Sequence, residues 1–130
     1  MSKHAKFLLH NMKYIGHPPW DTGVSPPELI RFVEHHLPGN ALDLGCGTGT
    51  NMHTLLNAGW QVDGVEYALI AVMKARKKIN RFHNSGHVFL ANVVHLDHLQ
   101  KYYDLILDIG CYHSLSGTGK ALYRRNIDQL

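Results

Sequence analysis

The chain has 130 residues, 45% of them hydrophobic and 18% charged. That is enough to bury a sizeable core in one domain, and the balance is that of a globular chain rather than a disordered one. A formal net charge of +3 is too mild to mark a nucleic-acid partner, two cysteines make no disulfide framework, and no apolar run is long enough for a membrane span or a secretory leader. The setting expected from this is reducing and cytoplasmic.

Residues 1–24 read as irregular, with a turn-rich stretch from His17 to Gly23 that holds Trp20. From residue 25 to 130 the chain reads as one domain. Ser25, Pro26 and Glu28 are spaced as an N-cap, a first-turn proline and an N3 acid. They predict a helix whose apolar positions are Leu29, Ile30, Phe32, Val33 and Leu37. Pro38, Gly39 and Asn40 end it. Ala41 to Leu44 is a short apolar strand, followed by a glycine loop and a helix from Asn51 to Ala58 that Gly59 stops. Trp60 to Glu66 is a second strand. Ala68 to Ile79 is a helix with Leu69, Val72, Met73, Ala75 and Ile79 as its apolar residues. The basic run from Lys74 to Arg81 reads as a solvated helix face, ahead of a nucleic-acid patch. After the turn Asn84-Ser85-Gly86, a third strand spans His87 to Ala91. A connector runs from Val94 to Tyr102, a fourth strand from Asp104 to Ile109, and an amphipathic helix from Gly117 to Leu130. Strands alternating with helices predict an α/β domain with a doubly wound parallel sheet.

The glycine loop carries the chemistry. Gly45, Gly47 and Gly49 stand at alternate positions between a strand and a helix. Glycine lets the backbone approach a ligand closely and accepts positive φ, and the helix start offers unpaired N–H groups. Thr50 stands where the dinucleotide fingerprint would place its third glycine. Glu66 ends the second strand about 20 residues after the first glycine, where such folds place a carboxylate for ribose hydroxyls. Together these make a βαβ unit for an adenosine-type ligand.

These residues resemble the class I S-adenosylmethionine-dependent methyltransferases. Leu42-Asp43-Leu44-Gly45-Cys46-Gly47-Thr48-Gly49 is similar to the family's first motif and Val62-Asp63-Gly64-Val65-Glu66 to its second. Leu90 to Leu96 sits where the family contacts adenine, and Tyr103 to Asp108 is similar to its fourth-strand motif. The segment from Pro19 to Leu29 resembles the lid of the thiopurine, thiol-halide and tellurite-resistance type enzymes, which act on small molecules. The resemblance implies a Rossmann-like sheet in the order 3-2-1-4 and S-adenosyl-L-methionine as cofactor, with S-adenosyl-L-homocysteine as product. It implies cofactor contacts from Trp20, Asp43, Gly45, Cys46, Gly47, Gly49, Glu66, Tyr67, Asn92 and Val93. Asp43 would meet the amino-acid end, Tyr67 would pack on adenine, and Asn92 with the Val93 amide would bind its edge. Asp108 and His113, after the fourth strand, are the candidates for a general base. The acceptor would be a small molecule, methylated at S, O or N by direct displacement.

The family's sheet has seven strands, and strands five to seven have no counterpart here. The expectation is a truncated domain, a fragment ahead of a natural short relative, with an apolar fourth-strand edge that invites a homodimer. A nicotinamide-dependent oxidoreductase with a degenerate fingerprint and a non-catalytic cofactor-binding module are the alternatives. No metal is expected. The chain has eleven histidines, but His35-His36 point apart on a helix and His95-Leu96-Asp97-His98 lacks further ligands at a usable spacing. Gly117-Thr118-Gly119-Lys120 falls short of a phosphate loop. Cys46 and Cys111 lack the surroundings of a reactive thiol pair.

Overall fold

The computed structural model describes residues 23–92, 96, 99 and 103–108. Trp20, Val93, Cys111, His113 and the helix predicted from Gly117 lie outside them. The described elements are, in order, helix α1 (Pro27–His35), strand β1 (Asn40–Leu44), helix α2 (Thr50–Asn57), strand β2 (Gln61–Glu66), helix α3 (Leu69–Lys78), a 3-10 turn (Asn80–Phe82), strand β3 (Gly86–Leu90) and strand β4 (Leu105–Asp108). The strands form one parallel sheet in the order β3-β2-β1-β4. This is the order expected from the resemblance.

Local sequence explains most element ends. At the end of α2, Gly59 adopts φ +94°. Its N–H bonds Leu56 O at 3.1 Å and the Trp60 N–H bonds Leu55 O at 3.0 Å. That pair of bonds is a Schellman closure, and it needs the left-handed residue that glycine supplies. The start of α1 differs from the prediction. Pro26 is the N-cap, at φ −58° and ψ 147°, and no side chain caps the helix. Pro27 forces the residue before it into extended backbone, so the helix begins at Pro27 rather than Pro26. Ser25 is thereby released from capping, and its hydroxyl lies 2.7 Å from that of Thr54 on α2.

The sheet divides the core. On one face Leu29 of α1, Met52, Leu55 and Leu56 of α2, and Val72, Ala75 and Ile79 of α3 pack with Ala41, Val62 and Val88. On the other face Leu42, Leu44 and Val65 are covered by Leu96 and Leu99 of the connector between β3 and β4. The chain winds β1-α2-β2-α3-β3 in one direction, then returns across the opposite face to reach β4. Right-handed crossovers require that change of face. The reversal falls between β1 and β4, which makes the crevice at their C-terminal ends the place where open α/β sheets bind ligands.

Four of the apolar residues predicted for the helix faces stay exposed. Ile30 of α1 is 39% exposed and Leu37, beyond its end, 91%, while Leu69 and Met73 of α3 are 42% and 61% exposed. The helix faces the sheet with Ala71, Val72 and Ala75 instead, small residues that let it come close. The basic run is used within the fold. Arg76 donates from Nε and Nη2 to Val88 O at 3.2 and 2.8 Å. Lys78 donates to the hydroxyls of Thr48 and Thr50, and Arg81 bonds Asn57 and stacks over Phe82.

Candidate functional site

The glycine loop leaves β1 at the reversal point. Gly45, Gly47 and Gly49 have φ of +69°, +57° and +86°, a conformation that a side chain makes costly. The loop is fastened to the sheet at its root, where the N–H groups of Gly45 and Cys46 both donate to Val65 O at 2.8 and 3.0 Å. At its far end Gly49 caps α2 with backbone alone. A Cβ there would stand 3.1 Å from Ala75 Cβ, so any larger residue would have to push α3 back from α2 by a few tenths of an ångström. Gly64 of β2 has a matching role. A Cβ on it would collide with Met52 Sδ and lie 2.9 Å from Cys46 Sγ. The glycine makes room for the loop and helix to settle onto the sheet.

Glu66 is 4% exposed. Its Oε1 accepts from the Gly47 N–H at 3.1 Å and its Oε2 from the Ala68 N–H at 2.7 Å. The acid expected to meet a ribose therefore also holds the middle of the glycine loop. Sequence reasoning missed this second role, because it joins positions 19 apart. A carboxylate has about four acceptor sites, and backbone amides on both of its oxygens fix the direction in which this one faces.

Asp43 lies beneath the loop, in register with Gly64 on β2 and Leu107 on β4. It is 2% exposed and its Oδ2 has no hydrogen-bond partner among the described residues. Burial, and then the nearby charges of Glu66 and Asp108, push its carboxyl up to about 7. Asp108 ends β4, exposed, opposite Leu44. Tyr67 follows Glu66 and is half-buried, and Asn92 follows β3, also half-buried. Ala91 N–H bonds Glu66 O at 3.0 Å, which sets the Asn92 segment beside the end of β2. The sheet thus brings Asp43, the loop, Glu66, Tyr67, Asn92 and Asp108 to one edge. Among the described residues no group of three His, Cys, Asp or Glu could hold a metal ion, and no helix is long and apolar enough to cross a membrane.

The lid segment is described from Gly23 onward. Gly23, Val24, Ser25 and Ile30 border an open cavity of about 390 Å³ with Thr50, His53, Thr54 and Lys78. It adjoins the start of α2, and no carboxylate lines it.

A parallel sheet in this order, a glycine loop after its central strand and a buried acid after the next define a Rossmann-like domain for a nucleoside-bearing ligand. The methyltransferase domain family matches residues 42–129. The chain belongs to that family, and with it to the class I S-adenosylmethionine-dependent methyltransferases. A probable thiol methyltransferase of Arabidopsis thaliana is 28% identical over 118 residues, covering 88% of this chain and 52% of the relative. An uncharacterized methyltransferase of Schizosaccharomyces pombe is 25% identical over 91 residues, covering 70% and 63%. Among solved structures, a protein studied for the conversion of a disulfide bond into a thioacetal group during echinomycin biosynthesis superposes with a TM-score of 0.84. It is 26% identical, covering 94% of this chain and 54% of that one. The chain thus spans between about half and two thirds of the length of these relatives.

Proposed function

We propose that this chain binds S-adenosylmethionine across the glycine loop and directs its methyl group to a nucleophile on a small molecule. The observation that carries the reading is the pairing of a left-handed glycine loop with two buried carboxylates, Asp43 and Glu66, at the reversal point of the sheet. The loop leaves no side chain between backbone and ligand. The Asp43 Oδ2, unpartnered among the described residues, fits a cationic donor, and the Glu66 carboxylate is of the chemistry that accepts from a diol. The residues therefore fit the cofactor.

The bound cofactor would supply an already activated methyl group on a sulfonium. The chain's own residues then need mainly to align the reactants and exclude water. Glu66 and the loop would fix the ribose, and Tyr67 and the Asn92-Val93 segment the adenine, with Trp20 assigned to the cofactor by the family resemblance alone. A sulfur acceptor is favoured, because a thiol needs little help from a base. The thiol methyltransferase among the relatives supports the same class. For an oxygen or nitrogen acceptor, Asp108 or His113 would take the proton.

The test is calorimetric titration with S-adenosylhomocysteine and, in parallel, with NAD. Binding of the first and not the second supports the reading. NAD binding alone would assign an oxidoreductase, and binding of neither would reduce the chain to a structural module.

A further inference from the structure

Asp43 is poorly placed for a bare charge. It is 2% exposed, its Oδ2 is unpartnered among the described residues, and it stands on the central strand. Among the described residues the charged groups that face it are Glu66 at the end of β2 and Asp108 at the end of β4, both acidic. From the loop and α2, the thiol of Cys46 and the thioether of Met52 pack over the adjacent Gly64, and they bring no positive charge. A buried carboxylate without a partner is costly, and removing one member of a buried pair leaves that cost in full. The site must hold a proton or a cation. A proton meets that need in the free protein and an organic cation in the complex.

We infer that Asp43 is protonated in the ligand-free protein and releases that proton when the cofactor's amino-acid end brings its ammonium against it, so that the site selects ligands carrying that cation. The inference rests on the cofactor reading above. The carboxyl O–H bond breaks and its proton passes to the buffer. The ammonium keeps its own protons and donates one as a hydrogen bond to the carboxylate. No electrons are exchanged. Burial and the two acids already hold the Asp43 carboxyl near neutrality, so the exchange falls in the ordinary working range. Because binding favours the ionised form, affinity rises as pH rises from about 6 to about 8.

The experiment is calorimetry on the whole chain near neutral pH, in two buffers of different ionisation enthalpy. The probes are S-adenosylhomocysteine and methylthioadenosine, which lacks the amino-acid end. The expected result is release of roughly half a proton per S-adenosylhomocysteine and much less with methylthioadenosine. The preference for the first ligand should grow about 3- to 10-fold between pH 6 and pH 8. In Asp43→Asn, with folding checked by circular dichroism, both the release and the pH dependence of the preference should vanish. Should that variant not fold, the two-ligand comparison on the unaltered chain decides alone. Binding of S-adenosylhomocysteine without proton release, and with a preference flat in pH, overturns the inference while the cofactor reading stands. Binding of neither ligand overturns both.

Discussion

Glu66 Oε1 accepts a hydrogen bond from the Gly47 N–H at 3.1 Å, so the acid at the end of β2 organises the glycine loop before any ligand arrives. Glu66→Ala is therefore expected to weaken S-adenosylhomocysteine binding by about 1–3 kcal/mol through lost charge-assisted bonds, and also to free the loop. Glu66→Gln keeps one acceptor oxygen but sets an amide NH2 against one of the two backbone donors. Hydrogen exchange at Gly47 should speed up in both variants without ligand. Unchanged exchange alongside weakened binding would confine Glu66 to ligand contact.

Gly49 combines φ +86° with a contact that a Cβ would crowd, 3.1 Å from Ala75 Cβ. Gly49→Ala should lower unfolding free energy by about 1–3 kcal/mol, from left-handed strain plus overpacking. Urea denaturation measures it. Gly47 has φ +57° and its N–H is held by Glu66 Oε1 at the middle of the loop. Gly47→Val should abolish S-adenosylhomocysteine binding in calorimetry while the far-ultraviolet circular dichroism is kept.

The Gly64 position tests the packing of loop and helix on the sheet. Gly64→Ala drives a methyl into Met52 and toward Cys46 and is expected to cost about 1–3 kcal/mol. Adding Met52→Ala should recover part of that loss, because the two sites share one space. A double-mutant cycle that is strictly additive would deny the contact.

Asp43 makes a prediction about stability of opposite sign to its role in binding. Burial and the two neighbouring acids push its folded carboxyl up to about 7 from the ordinary 3.8. The contribution of a group raised in this way is present below the unfolded value and lost as pH climbs through the folded one. Burying Asp43 thus destabilises the free protein progressively between about pH 4 and about pH 7. Asp43→Asn should be more stable than the parent at about pH 8, by on the order of 1–4 kcal/mol, and about equal to it near pH 4. Thermal melts at the two pH values check this.

Tyr103, just before β4, donates its hydroxyl to Asp63 Oδ2 at 2.7 Å, and His87 Nδ1 lies 3.6 Å from the other oxygen of the same acid. Burial first, and then Asp63, hold the phenol above its ordinary value. That contribution is present below about pH 10 and is lost above it, so stability should fall in strong alkali. Tyr103→Phe should cost about 1–3 kcal/mol at neutral pH and remove part of the alkaline loss. Denaturation at neutral and alkaline pH reads both effects.

The parts of this molecule legible in its sequence are those set by neighbours along the chain. Alternate glycines after an apolar strand announced the loop, Gly59 announced its helix end, and the acid after β2 announced Glu66. Strand order followed from the family resemblance, with the handedness of crossovers to support it. The less legible features depend on distant pairings. The Ser25 hydroxyl reaches Thr54 because Pro27 bars Pro26 from the helix. Leu69 and Met73 lie outward while Val72 and Ala75 of the same helix enter the core. The Asp63–Tyr103 bond joins residues 40 apart. Of the site residues, Trp20, Val93 and His113 lie outside the described structure, and the others gather at one edge of the sheet.

Arg76 has a consequence for how the sheet can grow. In the parallel ladder Ser85 and Ala91 of the β3 segment turn their backbone groups toward β2, so Val88, between them in the alternation, turns its carbonyl outward. An open strand margin of this kind recruits other chains. Here the guanidinium of α3 closes on that carbonyl with two bonds. A visiting strand would have to displace a cation already anchored by its own helix. Among the described strands the sheet is therefore fastened at its β3 border, which gives any addition a direction before a partner is chosen.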